Sequence, residues 1–141
     1  MHTASDNMLI DLALATVEAF PLRSTKYYDM RQFDRILFVM QYDQANGMQG
    51  DVSIINDTDG QDSDPKVLKV FPGQVIAGVK EVWCVEIKAE DLDKDHPFVR
   101  LDITTAPALN GGDLTVIAAL HAAHYKYSNK LDADRVLKSW E

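Results

Sequence analysis

The sequence contains a single cysteine, Cys84, and this scarcity limits the chemistry that the chain can support. One cysteine forms neither an intramolecular disulfide nor a Cys-x-x-Cys metal site, so we expect the chain to fold in a reducing cytoplasm. Cys84 lies between Trp83 and Val85 in an alternating segment, where a cysteine usually behaves as a small buried apolar residue. We therefore predict a structural thiol rather than a reactive one.

Long apolar runs and basic clusters are also missing. No stretch of about 18 apolar residues occurs, which excludes a transmembrane helix, and the N-terminal segment lacks the basic start of a signal peptide. The 22 acidic side chains outnumber the 14 basic ones, which gives a formal net charge of −8. Because phosphate backbones are bound by clustered Lys and Arg, we expect no nucleic-acid partner, and we expect no membrane partner.

Motifs of known catalytic chemistry are absent as well. The chain has no Walker A loop, no G-x-G-x-x-G and no G-x-S-x-G. His121 and His124 are three residues apart, but on a strand they point to opposite faces, and no Cys or Glu stands beside them to complete a metal site. We predict no catalytic residue, no cofactor and no enzyme activity.

The polar segment 57–65 concentrates acidic side chains. Oxygen-rich loops suit hard cations such as Ca²⁺, and EF-hand loops place glycine at the sixth position. Here Gly60 is only the fourth residue of the segment, and Pro65 interrupts it. We predict a solvated loop without a metal. The candidate ligands for an ion, should one bind, are Asp57, Asp59, Asp62 and Asp64.

What the sequence does contain is the two-residue period of β-strands. Residues 35–42 form the clearest central strand, with apolar side chains on both faces, whereas 79–89 and 98–104 alternate apolar with charged residues. A strand that is apolar on both faces requires cover on both. A second sheet can cover one face of 35–42, and a loop, an arm or a neighbouring subunit the other. If 79–89 and 98–104 are neighbours, their charged side chains face each other.

Turn signals separate the remaining strands. Asn46-Gly47, Pro72-Gly73 and Gly111-Gly112 mark turns, and 24–29 and 51–56 are typical of short strands. Residues 114–127 permit a helix by spacing, but the preceding glycine pair favours a return strand.

Residues 8–20 combine helical spacing with alternation, and we interpret them as an extended arm followed by a strand. The fold class that these patterns predict is all-β, an antiparallel, jelly-roll-like β-sandwich with extended N- and C-terminal arms. We assign 1–20 to an arm and possible first strand, 21–128 to the sandwich, and 129–141 to an arm or short helix.

Aromatic and apolar side chains near the chain ends are candidates for an interface, because large rings supply contact area at small entropic cost. The candidate interface residues are Met8, Leu9, Ile10, Tyr27, Tyr28 and Trp140.

The order of these motifs resembles a family of capsid decoration, or cement, proteins of tailed bacteriophages. The similarity covers roughly residues 8–127 and lies in strand patterns. The residues that carry it are Ser24, Tyr27, Tyr28 and Asp29; Phe33, Asp34 and Arg35 with 36–40; Val85, Glu86, Ile87 and Ala89; Leu92 and Asp93; Phe98, Val99, Arg100 and Leu101; and 123–125.

The resemblance implies a β-rich, commonly trimeric virion protein that binds the capsid exterior. The expected partner is the major capsid protein, the expected homo-oligomer a trimer, and the expected location the virion, after synthesis in the host cytoplasm. The alternative hypothesis is a calcium- or carbohydrate-binding β-sandwich module. Thermal melting with added calcium separates the two, because a ligand that binds the folded state raises its melting temperature.

Overall fold

The computed structural model describes residues 8–16, 22–43, 48–76, 82–105 and 113–122. Within these ranges the chain forms nine β-strands and one short 3-10 turn, Ala89–Asp91. The strands are β1 Met8–Thr16, β2 Leu22–Ser24, β3 Tyr28–Asp29, β4 Arg35–Tyr42, β5 Met48–Asp57, β6 Lys66–Ile76, β7 Trp83–Lys88, β8 Phe98–Thr105 and β9 Leu114–His121. The predicted C-terminal arm at 129–141 lies outside the described residues, as does the start of the N-terminal arm.

The strands pair into two antiparallel sheets. The first sheet has four strands in the order β1-β9-β4-β7, and the second has the order β2-β8-β5-β6, with β3 also paired to β8. The pairs are nested along the chain, since β1 pairs with β9, β2 with β8, β4 with β7 and β5 with β6. These nested pairs fall alternately in the first and second sheets, as in a long hairpin rolled up on itself. This is a jelly-roll arrangement, so the predicted all-β sandwich is confirmed.

The core lies between the two sheets and is built by alternation. In β4 every second residue is buried, namely Ile36, Phe38, Met40 and Tyr42. The same alternation in β9 buries Leu114, Val116, Ala118 and Leu120, and β8 contributes Val99, Leu101 and Ile103 from the opposite sheet. Phe38, at the centre, meets the ring edge of Tyr28 at a centroid distance of 6.0 Å. The inward faces of the two sheets therefore form one continuous apolar layer.

Two local expectations are wrong. The strands β7 and β8, which we considered as neighbours, lie in different sheets, so Glu86 does not face Arg100 across a ladder. Pro72-Gly73 does not end a strand but lies inside β6, opposite a register shift between Gly50 and Val52. An edge strand tolerates a proline because its outward N–H needs no partner, and the positive φ of Gly73, 62°, fits a bulge.

The segment with mixed helical and alternating spacing is a strand. β1 pairs with β9 from Met8 to Thr16, with a register shift between Leu12 and Leu14. Among the described residues no helix is long and apolar enough to cross a membrane.

Candidate functional site

The outward side of the first sheet is apolar. Because residues paired directly across antiparallel strands point to the same side, the register aligns Ile10 with Ala119 and Leu37, and Leu12 with Ile117 and Val39. Cys84 continues the second row, opposite Val39. We call this surface the apolar face; its members are Ile10, Leu12, Leu37, Val39, Cys84, Ile117 and Ala119.

The apolar face is accessible to a partner. Ile10 is 67% exposed, Leu12 52% and Ile117 40%, and Leu37 and Val39 are half-buried. Cys84 is exposed, so our prediction of a buried thiol is wrong. The cysteine occupies a short alternating strand as expected, but on the outward side of the sheet. Contiguous apolar surface of this kind is typical of protein-interaction sites.

Charged residues border one end of the apolar face. At this end Arg35 of β4 lies opposite Lys88 of β7 on one side and His121 of β9 on the other. The Arg35 guanidinium also approaches the carboxylate of Glu86, with Nη1 and Oε2 3.6 Å apart. A shallow depression of about 170 Å³ lies here, lined by Met8, Arg35, Leu37, Glu86, Ala119 and His121. An apolar floor with a charged border is suited to receive a side chain of a protein partner.

The outward side of the second sheet is polar and internally bonded. Arg100 donates from Nε to Asp102 Oδ1 at 2.8 Å and from Nη1 to Asp62 Oδ1 at 2.7 Å. Ser24 Oγ donates to the same Asp102 oxygen at 2.7 Å. The guanidinium also stacks on the Tyr27 ring, 4.8 Å from its centroid. The two outward sides of the sandwich therefore differ in character: a bonded polar cluster lies on the second sheet, whose exposed Val67 and Val70 are on its edge strand β6, whereas the apolar face extends across all four strands of the first.

The candidate interface residues occupy different places. Met8, Leu9 and Ile10 are exposed on β1. Tyr27 is half-buried, and its hydroxyl donates to Asp62 Oδ1 at 2.6 Å. Tyr28 is buried in the core and offers little surface to a partner, so the proposed interface excludes it. Trp140 lies outside the described residues.

The acidic loop is organised by its own backbone. Asp57 is fully buried and accepts hydrogen bonds from the backbone N–H groups of Asp62, at 2.9 Å, and Asp64, at 2.8 Å. Burial alone would raise the pKa of Asp57, but hydrogen bonds from the backbone N–H groups of Asp64, Thr58 and Asp62 outweigh it and lower the pKa to about 2. The Asp57 carboxylate therefore serves as an internal cap for the loop.

The other three candidate metal ligands point to separate partners. Asp59 accepts from the backbone N–H of Gln61, Asp62 from Tyr27 and Arg100, and Asp64 lies 3.0 Å from His96 Nε2. Within the described ranges no group of three or more His, Cys, Asp or Glu side chains is arranged to hold a metal ion. Asp59 does lie close enough to Asp57 to help lower its pKa, but the four carboxylates do not converge on one point.

A second groove runs between the edge strands β6 and β7. It has a volume of about 400 Å³, and its walls are made by Ile54, Leu68, Phe71, Val85 and Ile87. Lys69, Glu86 and Asp91 supply charged groups at the same groove. Beside this groove the rings of Phe71 in β6 and Trp83 in β7 pack edge to face, with their centroids 6.0 Å apart, and so link the edges of the two sheets.

The sequence did not point to most of the apolar face. It showed that β4 was apolar on both sides, but it did not show that the outward sides of β1, β7 and β9 would continue that surface. Ile117 and Cys84 join the face through strand pairing, and pairing partners far apart in the chain leave no local signal in a single sequence.

Comparison with known proteins shows no family for this chain and finds only distant similarity among solved structures. No protein-family model matches the sequence, and no curated protein matches it either. Among solved structures, the SPBc2 prophage-derived protein YomS is 10% identical over 81% of this chain and 92% of its own, with a TM-score of 0.47. The K3 adhesin domain of Lys-gingipain from Porphyromonas gingivalis is 8% identical over 72% of this chain and 63% of its own, with a TM-score of 0.46.

A carbohydrate-binding module is similar at the same level. The C-terminal CBM6 of LamC from Zobellia galactanivorans is 12% identical over 81% of this chain and 99% of its own, with a TM-score of 0.41.

Proposed function

We propose that this chain is a non-enzymatic virion structural protein that binds the outside of an assembled phage capsid and bridges major capsid subunits. The observation that carries the proposal is the apolar face, where Ile10 and Leu12 stand exposed at alternate positions of β1 and Ile117 stands exposed opposite Leu12 on β9. The phage-family resemblance of the strand motifs selects a capsid over other protein partners. The proposal includes a location on the capsid exterior after synthesis in the host cytoplasm, with no nucleic-acid or membrane partner.

The expected strength of one contact explains why such a protein would act in several copies. Fully burying an aliphatic side chain contributes about 1.5–3 kcal/mol, so burying the exposed half of Ile10, Leu12 and Ile117 contributes about 1 kcal/mol each. Association itself costs about 4–15 kcal/mol, so the apolar face alone gives weak binding. A homo-oligomer, with the trimer as the form that the resemblance implies, multiplies such contacts on a symmetric shell.

The direct test is binding of purified protein to capsids of the phage that encodes it. Ile117→Lys places a charge in the centre of the apolar face and is expected to reduce occupancy at least about tenfold, since burying an unpaired charge costs more than 1.4 kcal/mol. Thr104→Lys adds the same charge at an exposed position on the second sheet and is the matched control. Equal occupancy of both variants would remove the apolar face from the proposal.

Presence in the particle and the role of the tail are tested separately. Mass spectrometry of purified virions is expected to detect the chain, and its absence would overturn the capsid assignment. Deleting residues 131–141 removes Trp140 and is expected to leave the melting temperature unchanged while weakening capsid binding. Unchanged occupancy would exclude the tail as a contact.

A second candidate function, carbohydrate binding, is favoured by the groove between β6 and β7. Carbohydrate sites combine an aromatic surface with hydrogen-bonding groups, and this groove combines Phe71 with Lys69, Glu86 and Asp91. Oligosaccharides that raise the melting temperature of the wild type but not of Phe71→Ala would support it. Calcium added in the same assay tests the ion-binding form of the alternative.

A further inference from the structure

The outer edge of β1 is open over part of its length. β1 is the terminal strand of the first sheet, and β9 is the one described strand that pairs with it. Its other edge is occupied at Ala13, whose carbonyl accepts a hydrogen bond from the backbone N–H of Lys26 at 3.3 Å. The register shift between Leu12 and Leu14 makes a bulge at the same point. Residues 8–12 therefore form an edge segment that no described strand covers.

This segment carries no lysine or proline, and its protection is limited to the inward-facing Asp11 and the bulge after Leu12. Its apolar side chains are well exposed, at 40% for Met8, 51% for Leu9, 67% for Ile10 and 52% for Leu12. Natural edges are protected by lysine, proline, short length, bulges or inward-pointing charges. The other described edges have such protection, since β7 carries Glu86 and Lys88, β6 carries Lys66, Lys69 and Pro72, and β2 is three residues long.

The one charge in the open segment is already balanced within the chain. Asp11 accepts a hydrogen bond from the Tyr28 hydroxyl at 2.7 Å, and Lys26 Nζ lies 2.9 Å from the same carboxylate oxygen. Two copies of the chain, each with a formal charge of −8, repel one another over most of their surfaces. The edge of β1 is thus a place where they can approach without bringing uncompensated carboxylates together.

We propose that β1 pairs with β1 of a second copy, antiparallel about a two-fold axis at Ile10. An antiparallel pair of identical segments is self-complementary, which is the requirement for a closed two-fold contact. With Ile10 opposite the second copy's Ile10, Met8 lies opposite Leu12, so the outward side chains of both segments are apolar. The pairing gives the open N–H and C=O groups of both edges a partner, and it joins two apolar faces into one eight-stranded surface.

The size of the contact determines its strength. A stable interface buries about 800 Å² per partner, and two five-residue edges bury less, so the pair forms at micromolar or higher concentration. The contact has two-fold symmetry, whereas the phage-family resemblance implies a trimer. Oligomer size therefore discriminates between the two arrangements. The pairing does not depend on what the apolar face binds, and it is tested on the free protein.

The test is sedimentation of the full chain from about 1 µM to about 1 mM, the range in which weak edge contacts form. The wild type is expected to shift from monomer to dimer, and Ile10→Lys to remain a monomer over the same range. Val75→Lys is the matched control, because Val75 is 65% exposed and lies on β6, the edge of the other sheet. It is expected to dimerise like the wild type. Thermal melts of both variants check that each is folded.

Cross-linking locates the axis. In a Cys84→Ser background, Ile10→Cys is expected to give a dimer with a short bis-maleimide, and Val75→Cys is expected to give at least about tenfold less, because only residue 10 faces its own copy. A monomer at every concentration, a trimer, or a dimer that Ile10→Lys leaves unchanged would overturn the proposal. Equal cross-linking at both positions would overturn it as well.

Discussion

The hydroxyl of Tyr28 donates a hydrogen bond of 2.7 Å to the carboxylate of Asp11, and this bond ties the two sheets together on the β1 side of the sandwich. Tyr28 belongs to β3 in the second sheet and Asp11 to β1 in the first. Hydrogen bonds from Lys26 and then Tyr28 lower the pKa of Asp11 below its usual value, so the carboxylate stays ionised. The Tyr28 contact links the two sheets at this side of the core, and the Lys26 ammonium, 2.9 Å from the same carboxylate, balances its charge.

Removing the Tyr28 hydroxyl is expected to destabilise the fold modestly. Tyr28→Phe keeps the ring against Phe38 but loses a hydrogen bond to a charged acceptor, which costs about 1–2 kcal/mol of unfolding free energy. Tyr27→Phe is the matched control, because its hydroxyl bonds Asp62 at an exposed position and costs about 0.5 kcal/mol or less. Urea denaturation measures both. A larger loss from Tyr27→Phe would contradict the assignment of Tyr28 to the inter-sheet contact.

Substituting Gly60 is expected to damage the packing of the acidic loop on β8. Gly60 has a φ of +76°, and a Cβ there would lie 2.9 Å from Cδ2 of Phe98. Gly60→Ala should therefore lose about 2–4 kcal/mol of unfolding free energy, the sum of a left-handed backbone cost and a steric one. Gly73→Ala shares the positive φ, but its nearest atom is 3.7 Å away, so it should lose only about 1–2 kcal/mol. Equal losses in the two variants would show that Phe98 moves aside freely.

Acid is expected to destabilise the chain through Asp57. Its pKa in the folded protein is about 2, below the ordinary value of 3.8, so the unfolded state binds the proton more readily. The stability that Asp57 contributes is present above about pH 4 and is lost as the pH falls towards 2.

The measurement is the melting temperature of wild type and Asp57→Asn between pH 2 and pH 7. The variant is expected to be less stable at neutral pH and to lose less on acidification. Glu90→Gln, an exposed acid in the 3-10 turn outside this loop, should keep the wild-type acid dependence. A wild-type acid dependence in Asp57→Asn would show that other groups cause it.

Raising the pH is expected to weaken the contact between His96, in the connection from β7 to β8, and Asp64 of the acidic loop. His96 is buried, with Nδ1 2.7 Å from the Lys94 carbonyl and Nε2 3.0 Å from Asp64, and both nitrogens can donate only in the imidazolium form. The Lys94 carbonyl and then Asp64 raise the pKa of His96, against the opposing effect of burial. Because the folded pKa lies above the unfolded one, this stability is present below pH 6.5 and is lost as pH rises through the folded pKa.

NMR titration of the His96 ring protons measures that pKa directly. Asp64→Asn is expected to lower it while leaving the Lys94 contact intact. A His96 pKa at or below 6.5 in the wild type would contradict the contact between the loop and the β7–β8 connection.

The alternation of apolar and polar residues along each strand was enough to predict the fold class, but which strands pair with one another was not predictable. In β4 and β8 each residue's face follows from its neighbours in sequence, and Ile36, Phe38 and Leu101 are buried as their positions indicate. That β7 and β8 lie in different sheets depends on contacts between distant strands, which a single sequence does not record. Pro72-Gly73 was misinterpreted because turn chemistry and bulge chemistry use the same residues.

The candidate site was predictable only in part. The two-sided apolar pattern of β4 is present in the structure, with Leu37 and Val39 on the outward side, and its predicted cover stays a prediction. The exposed residues of β1 were among those chosen for an interface. The place of Cys84 was missed because a cysteine in a strand is buried or exposed according to the sheet around it. The acidic loop was conspicuous by composition, yet backbone hydrogen bonds to Asp57 organise it, and those depend on its folded path.

The central claim, that the apolar face is the surface buried against capsid subunits, is tested most directly by the reactivity of Cys84. It is the one cysteine of the chain, and it lies exposed within that face. Maleimide labelling should proceed readily in free protein and at least about tenfold more slowly on decorated capsids, because burial against a partner excludes the reagent. Equal labelling rates in the free and capsid-bound protein would contradict the claim.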